Sequence, residues 1–369
     1  MHKKMLYLTL QSTEEGQAAH AHVHEICDNL SHLGVEVDLG EPKYKNTNIS
    51  LISRIIQFAL VQGGIASSVR KADLVYIRSH FAALPTSLWA RACSKVLIHE
   101  VNGPYEDIFL AYPSARVLAP LLKWMVRIQL GLADGVICVT PELARWVARE
   151  SGNENVTVVP NGVNVKLFRP EAREECETEN RYVIFFGALA EWQGIEALVE
   201  AAKSDLWPEG VYLLIVGDGH MRQYVEHSAK NCASIRYIGR RPYSEMPGLV
   251  AGSIGSISAQ NNLNGRSDTG LSPLKLYESL ACGVPVVVSD LPGLAQVVES
   301  HGCGIVVPVG DSEALARAVS LLAHDPDLRL EMGKRAESAA VSEYSWSNRA
   351  KQTLGFINST IGKKTTSGV

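Results

Sequence analysis

Short apolar runs, hydrophobic enough to be buried on both faces, alternate with helical patterns through both halves of this chain. That alternation limits the fold more than any other feature. In the first half the runs are Met5–Leu10, Val35–Leu39, Leu74–Ile77, Val96–Glu100, Gly135–Val139 and Val156–Val159, with helical patterns at Ala19–Leu33 and Pro141–Glu150. The series restarts at Tyr182–Phe186 and continues through helix Gly194–Ala202 and strand Val211–Val216. Ile235–Ile238, Ser253–Ser258, Val284–Val288 and Gly304–Val307 complete it. Strands apolar on both faces and separated by helices specify parallel sheets covered on both sides. Two such series in 369 residues, more than one hydrophobic core usually supports, predict two doubly wound α/β domains.

The first domain is expected over residues 1–163 and the second over 182–345. Between them, 164–181 is charged, contains Pro170 and lacks apolar periodicity, and so reads as a linker. Helices are expected at Asp311–Leu322, Asp327–Ser342 and Trp346–Ile357. Residues 346–369 form a last helix and tail that can cross back to the N-terminal domain, with Gly362–Val369 polar and frayed. Two domains of this kind are expected to face each other across a cleft at the carboxyl ends of their strands, where α/β proteins bind ligands.

Composition excludes several functions. Net charge is −4 with no long basic run, so no nucleic-acid partner is expected. The seven cysteines are scattered, odd in number and without C-x-x-C spacing, which argues against a disulfide framework and a zinc site. His20, His22 and His24 do not share a helix face at i, i+2 spacing, so no metal is expected. The apolar run after Met1-His-Lys-Lys is too short for a signal segment, and no stretch approaches the roughly 18 apolar residues of a membrane span. The expected location is the cytoplasm, at most peripheral at the inner face of the membrane.

The densest chemistry lies between Arg266 and Asp290. Gly270, Leu271, Ser272 and Pro273 read as a turn opening a helix that carries Leu274, Lys275 and Glu278. Unpaired amides and the positive dipole end of such a helix suit a pyrophosphate, with Pro273 in the first turn where its missing N–H costs little. Lys275 can add charge there, and Glu278 can accept hydrogen bonds from the vicinal hydroxyls of a ribose. From the residues alone, an ordinary capped surface helix accounts for the stretch equally well.

Glu278-Ser-Leu-Ala-Cys-Gly-Val-Pro-Val-Val resembles the nucleotide-binding helix and following strand of the retaining GT-B glycosyltransferases called family 4. The resemblance extends to Val159-Pro-Asn-Gly-Val163, Phe186-Gly-Ala-Leu-Ala-Glu-Trp-Gln-Gly-Ile195, Leu214-Ile-Val-Gly-Asp-Gly219, Ser289-Asp-Leu-Pro-Gly293 and Tyr344-Ser-Trp346. It implies a nucleotide-sugar donor (a UDP- or GDP-sugar), no cofactor and no metal. Glu278 would hold the donor's ribose, the amides of residues 271–274 and Lys275 the diphosphate, and Gly187 would let a loop approach it. Gly217 and Gly219 would lie against the base, Ser258–Asn261 begins another cleft-facing loop, and Arg241 follows the strand before it. Glu15-Gly16-Gln17 looks like the family's glycine loop, making Gly16 and Gln17 donor-facing candidates.

Four positions depart from the family pattern. An acidic residue expected eight positions before Glu278 is Gly270, an Arg after Gly187 is Ala188, a Lys before Gly194 is Gln193, and a His after the fourth strand is Asn102. Asn102 can hydrogen-bond a hydroxyl but cannot act as a general base. Lys275 and Arg266 are the available substitutes for the missing basic pair, and Lys275 is expected to serve the diphosphate. Glu100, His99, Glu106 and Asp107 are possible acid or base groups near the acceptor, and Arg78 and Ser79 can line that side.

The segment 116–132 carries Trp124, apolar residues, Lys123 and Arg127, a composition that can lie on a membrane and meet a lipid-linked acceptor or pack on its own domain. The resulting expectation is a retaining hexosyltransferase that builds a cell-surface polysaccharide or glycolipid. An inactive GT-B-like partner subunit and, more remotely, a nucleotide-sugar 2-epimerase stay open at this point.

Overall fold

The structure, a computed structural model, describes residues 3–11, 13, 17–42, 51–175, 181–262 and 265–367. The chain divides into two compact units, Met1–Pro160 together with Trp346–Val369, and Asn161–Ser345.

The first unit runs β1 (Lys3–Leu8), α1 (Ala18–His32), β2 (Val35–Gly40), α2 (Leu51–Lys71), β3 (Leu74–Arg78), α3 (Leu84–Ala92), β4 (Val96–Val101), α4 (Glu106–Ala111), α5 (Ala119–Leu132), β5 (Gly135–Cys138), α6 (Pro141–Ser151) and β6 (Val156–Val158). Its six strands are all parallel in the order β2-β1-β3-β4-β5-β6. The buried strand residues Met5, Leu6, Tyr7, Leu74, Val75, Leu97 and Ile98 explain the two-sided apolar runs. One face packs against α1 and the other against α2 and α3.

The second unit runs β7 (Tyr182–Ala188), α7 (Ile195–Lys203), β8 (Tyr212–Asp218), α8 (Arg222–Asn231), β9 (Ile235–Tyr237), α9 (Met246–Ala251), β10 (Gly255–Ser258), α10 (Leu274–Ala281), β11 (Val286–Ser289), α11 (Leu294–His301), β12 (Gly304–Val307), α12 (Ser312–His324) and α13 (Pro326–Ala339). Its parallel order, β12-β11-β10-β7-β8-β9, reverses direction between β7 and β10. Loops leaving the carboxyl ends of two such strands part company there and leave a crevice for ligand.

Three boundaries differ from the sequence reading. Val163, Phe168 and Ala172, at and beyond the expected start of the linker, are buried in the core of the second unit. They carry apolar anchors too sparse to register as periodicity. The 21-residue α2 has no counterpart in the sequence reading. The tail is not frayed at Gly362: α14 (Trp346–Ser367) continues through it. Ala350 and Ile357 of α14 are fully buried beside Met5 and Ile98 of the first sheet. Further along, Asn155 Nδ2 donates to Thr360 Oγ1 at 3.1 Å and Lys364 Nζ reaches Asp134 at 2.9 Å. Tertiary contacts thus extend a helix whose own sequence is polar.

Because Ile357 is core rather than tail, Ile357→Ala is expected to cost about 2–5 kcal/mol. The exposed Lys351→Ala on the same helix should stay within about 0.5 kcal/mol of wild type. Denaturant midpoints of the two variants check this.

Candidate functional site

At the strand-order reversal of the second unit, Gly187 is the last residue but one of β7 and Ser258 ends β10. The segments leaving these strands are tied together. Asn261 donates its backbone N–H to Trp192 O at 3.0 Å and its side-chain amide to Glu191 O at 3.1 Å. Gly194 takes φ +68°, and a Cβ there would sit 1.8 Å from Ala259 O, so only glycine lets the segments close. Gly217 does the same between the strand ends, since its added Cβ would meet Gly187 O at 1.9 Å. These contacts fix Gln193, in the turn Glu191–Gln193, over the head of α10.

Lys275 lies in the first turn of α10 and is only 8% exposed. Its Nζ donates to Gln193 Oε1 at 2.6 Å and stands 4.2 Å from the centre of the Phe185 ring. A Cβ added to Gly187 would be 3.6 Å from that ammonium, so the glycine keeps the space beside it open. One turn on, Glu278 is 6% exposed and accepts from Tyr243 Oη at 2.8 Å. Burial pushes the Lys275 amine down to about 7, with Glu278 opposing. Burial pushes the Glu278 carboxyl up to about 7, opposed by the Tyr243 hydrogen bond and Lys275. Each is held close to its titration point by desolvation.

The turn before α10 is more committed than the sequence implies. Gly270 donates to Ser267 O and Leu271 to Pro292 O, so these two amides are already used. Pro273 is the N-cap rather than a first-turn residue, with ψ 138°. Ser272, Leu274 and Lys275 have no backbone partner for their amides among the described residues. The Ser272 hydroxyl pairs with Tyr277 Oη at 2.8 Å, and Asn161 N–H donates to Ser272 Oγ at 3.1 Å.

Of the other candidates, Gly219 lies past the end of β8, where an added Cβ would come within 2.4 Å of Leu189 O. Arg241 is exposed and stands 3.9 Å from Glu245. Arg266 opens the short turn Arg266–Thr269. Gly16 lies outside the described residues, and Gln17 is the N-cap of α1.

Asn102 belongs to the first unit, after β4, and is held by a buried polar cluster that sequence reasoning did not assemble. Its Nδ2 donates to Glu100 Oε1 at 2.6 Å. The same carboxylate takes His22 Nε2 at 2.7 Å and Tyr76 Oη at 2.7 Å, with Arg78 Nη1 at 3.9 Å. Burial alone would raise the Glu100 pKa, but His22, Arg78 and Asn102 hold it well below the usual carboxylate range. An ionised carboxylate only accepts, so Asn102 must turn its amide nitrogen inward and its carbonyl oxygen away. His22 faces Glu100 while the His20 and His24 rings meet each other, tilted, with centroids 4.0 Å apart, so the three rings do not converge. His99 is buried beside Ser87 and pushed down to about 3.

Comparison with known proteins decides the family. Residues 19–167 match the model of Glycosyltransferase Family 4, and residues 169–339 that of Glycosyl transferases group 1. The chain is 31% identical over 271 residues to the phosphatidyl-myo-inositol mannosyltransferase of Mycobacterium leprae, covering 73% of this chain and 68% of that protein. This chain belongs to the glycosyl transferases group 1 family. It is a glycosyltransferase with the GT-B fold. Its structure is similar to sucrose-phosphate synthase from Thermosynechococcus elongatus (TM-score 0.78, 17% identity, 98% of this chain and 100% of that one). It is also similar to Anabaena HepE in complex with UDP-glucose (TM-score 0.69, 18% identity, 97% and 100%).

The two buried groups of this glycosyltransferase carry opposite pH signatures. A carboxyl raised in the folded state contributes stability below about pH 4.5 that is lost as pH climbs toward 7; an amine lowered to about 7 restores stability between 7 and 10.5. Glu278→Gln is therefore expected to match wild type near pH 4 and to exceed it by on the order of 2 kcal/mol near pH 7. Thermal unfolding across pH 4–8 checks the sign.

Proposed function

We propose that this glycosyltransferase moves a hexosyl group from a UDP- or GDP-sugar to a hydroxyl of a lipid-linked acceptor, with retention of anomeric configuration, in cell-surface glycolipid or polysaccharide synthesis. The reading rests on one observation above all. A buried lysine stands at the head of α10, at the sheet's switch point, on the residue that replaces the family's second basic group.

In this reading the donor diphosphate meets the Lys275 ammonium and the amides of Ser272, Leu274 and Lys275. Glu278 accepts hydrogen bonds from the ribose while Tyr243 holds one of its oxygens. As the bond from the anomeric carbon to the phosphate oxygen breaks, the acceptor oxygen bonds that carbon on the same face. The acceptor's proton passes to the departing phosphate oxygen. No protein base is needed, which is compatible with asparagine at position 102. The carbonyl oxygen of Asn102 is available to accept from a sugar hydroxyl. No metal and no further cofactor enter the proposal. The lipid acceptor is supported by the relative named for phosphatidyl-myo-inositol, and the donor by the similar protein holding UDP-glucose.

Binding should exchange protons with solvent. A diphosphate favours charged Lys275, and a ribose favours ionised Glu278. With both groups near 7, donor binding is expected to take up a proton at pH 8, release one at pH 6, and be tightest between. Calorimetry with a UDP- or GDP-sugar in buffers of different ionisation enthalpy measures this. Lys275→Ala should abolish the uptake and cost about 3–4 kcal/mol in turnover. Full activity in that variant would overturn the assignment.

A further inference from the structure

We propose that α2, α3 and α5 of the first unit form a docking face for an anionic membrane, and that the groove between them receives an acyl chain of a lipid in it. The proposal deepens the lipid-acceptor reading and rests on it.

The face exposes large apolar side chains on every element. Ile55, Ile56 and Leu60 are exposed on α2, Leu88 on α3, Val117 and Leu118 on the turn before α5, and Leu121 and Trp124 on α5 itself. Val117 is 85% exposed and Leu60 63%. Single exposed apolar residues are ordinary, whereas a contiguous set marks a binding surface. Contiguity here is physical. Arg54 Nη1 on α2 donates to Tyr112 Oη at 2.6 Å beside the turn that leads to α5. A groove of about 540 Å³ runs among Ile55 and Phe58 of α2, Pro85 and Trp89 of α3, and Met125 of α5.

The groove's polar groups are already satisfied. Thr86 Oγ1 donates to Gln62 Oε1 at 2.8 Å, Gln62 Nε2 to Ala82 O at 3.0 Å, and Trp89 Nε1 to Ala66 O at 3.1 Å. Walls of this kind offer a polar ligand little and hydrocarbon a good fit.

Charge selects the sign of the surface. Residues 51–71 and 113–132 contain Arg54, Arg70, Lys71, Arg116, Lys123 and Arg127 and no aspartate or glutamate. Glu106 and Glu150 of neighbouring elements offset Lys123 and Arg127, leaving Arg70, Lys71 and Arg116 in excess among the described residues. The chain as a whole is at −4, so attraction to an anionic surface is local to this face. Trp124 and Tyr112 are the amphipathic rings that favour a membrane–water boundary. Among the described residues no helix is long and apolar enough to cross a membrane, so attachment by this face would lie on the surface.

The test is co-sedimentation of the full chain with vesicles of phosphatidylcholine alone or with about one-third phosphatidylglycerol. Expected is binding to the anionic vesicles only, weakening with salt, and falling about tenfold or more in Leu121→Glu/Trp124→Glu. That variant should keep its thermal shift with nucleotide, which reports a folded second unit. Monomeric lysophosphatidylglycerol should bind saturably to wild type and not to Gly63→Phe, whose ring enters the groove from a position where an added Cβ meets no atom within 4 Å. No vesicle binding, equal binding to both vesicle types, or retention by the double variant overturns the face. So does a dimer that the double variant dissolves, since the occupant is then a second copy. Unchanged lysolipid binding in Gly63→Phe overturns the groove. A chain that glycosylates dispersed lipid but ignores vesicles loses only this proposal. One that binds vesicles but uses only soluble acceptors loses only the lipid-acceptor reading.

Discussion

Withdrawing an ammonium group from water is unfavourable unless something polar meets it, and the candidate site of the second unit is arranged around Lys275. It has one strong neutral acceptor in Gln193, an aromatic ring face in Phe185, and Glu278 one turn away on the same helix. That set is enough to keep the side chain in place and too little to hold its charge firmly, which is why the amine sits near neutrality. In the proposed reading, the donor's diphosphate arriving beside Gly187 completes the shell.

The backbone geometry follows from the same requirement. Gly194 and Gly217 are where the segment after β7 meets the one after β10, and where β8 meets β7, more closely than any side chain would allow. Their closeness brings Gln193 from one strand's loop to Lys275 on another strand's helix. The first unit solves a parallel problem with Glu100, whose buried charge is met by His22, Tyr76 and Asn102. Fixing that carboxylate also fixes which atom Asn102 presents. Both units thus use a buried ion at the carboxyl end of a parallel sheet to orient a neutral amide.

Much of this was legible in the sequence. The strands were, because residues buried on both faces must be apolar, as Val183–Phe186 and Val286–Val288 show. Glu278 and Lys275 stood out as candidates because they follow a turn-and-helix pattern with a recognisable neighbourhood. What escaped has a common cause. Gln193 and Lys275 are 82 residues apart, Tyr243 and Glu278 are 35 apart, and His22 meets Glu100 across the first sheet. None of these pairs has a local signature. Gln193 looked like a lost charge in one dimension and is a hydrogen-bond acceptor for a relocated one in three. The α2 helix escaped because its apolar residues spread around its axis and Gly63-Gly64 interrupt them. The end of α14 escaped because packing on the first unit, rather than its own polar residues, makes it helical.

The central claim is that Lys275 does the work of the basic residue missing at position 193, and a charge transplant tests it most directly. Gln193 Oε1 lies 2.6 Å from Lys275 Nζ, so a lysine at 193 in a protein lacking Lys275 would place its charge at nearly the same point. Donor dissociation constants would be measured for Lys275→Ala and for Gln193→Lys/Lys275→Ala. The account predicts that the double variant recovers most of the affinity lost in the single one. Equal loss in both would show that the buried lysine holds the helix in place and has no part in binding the diphosphate.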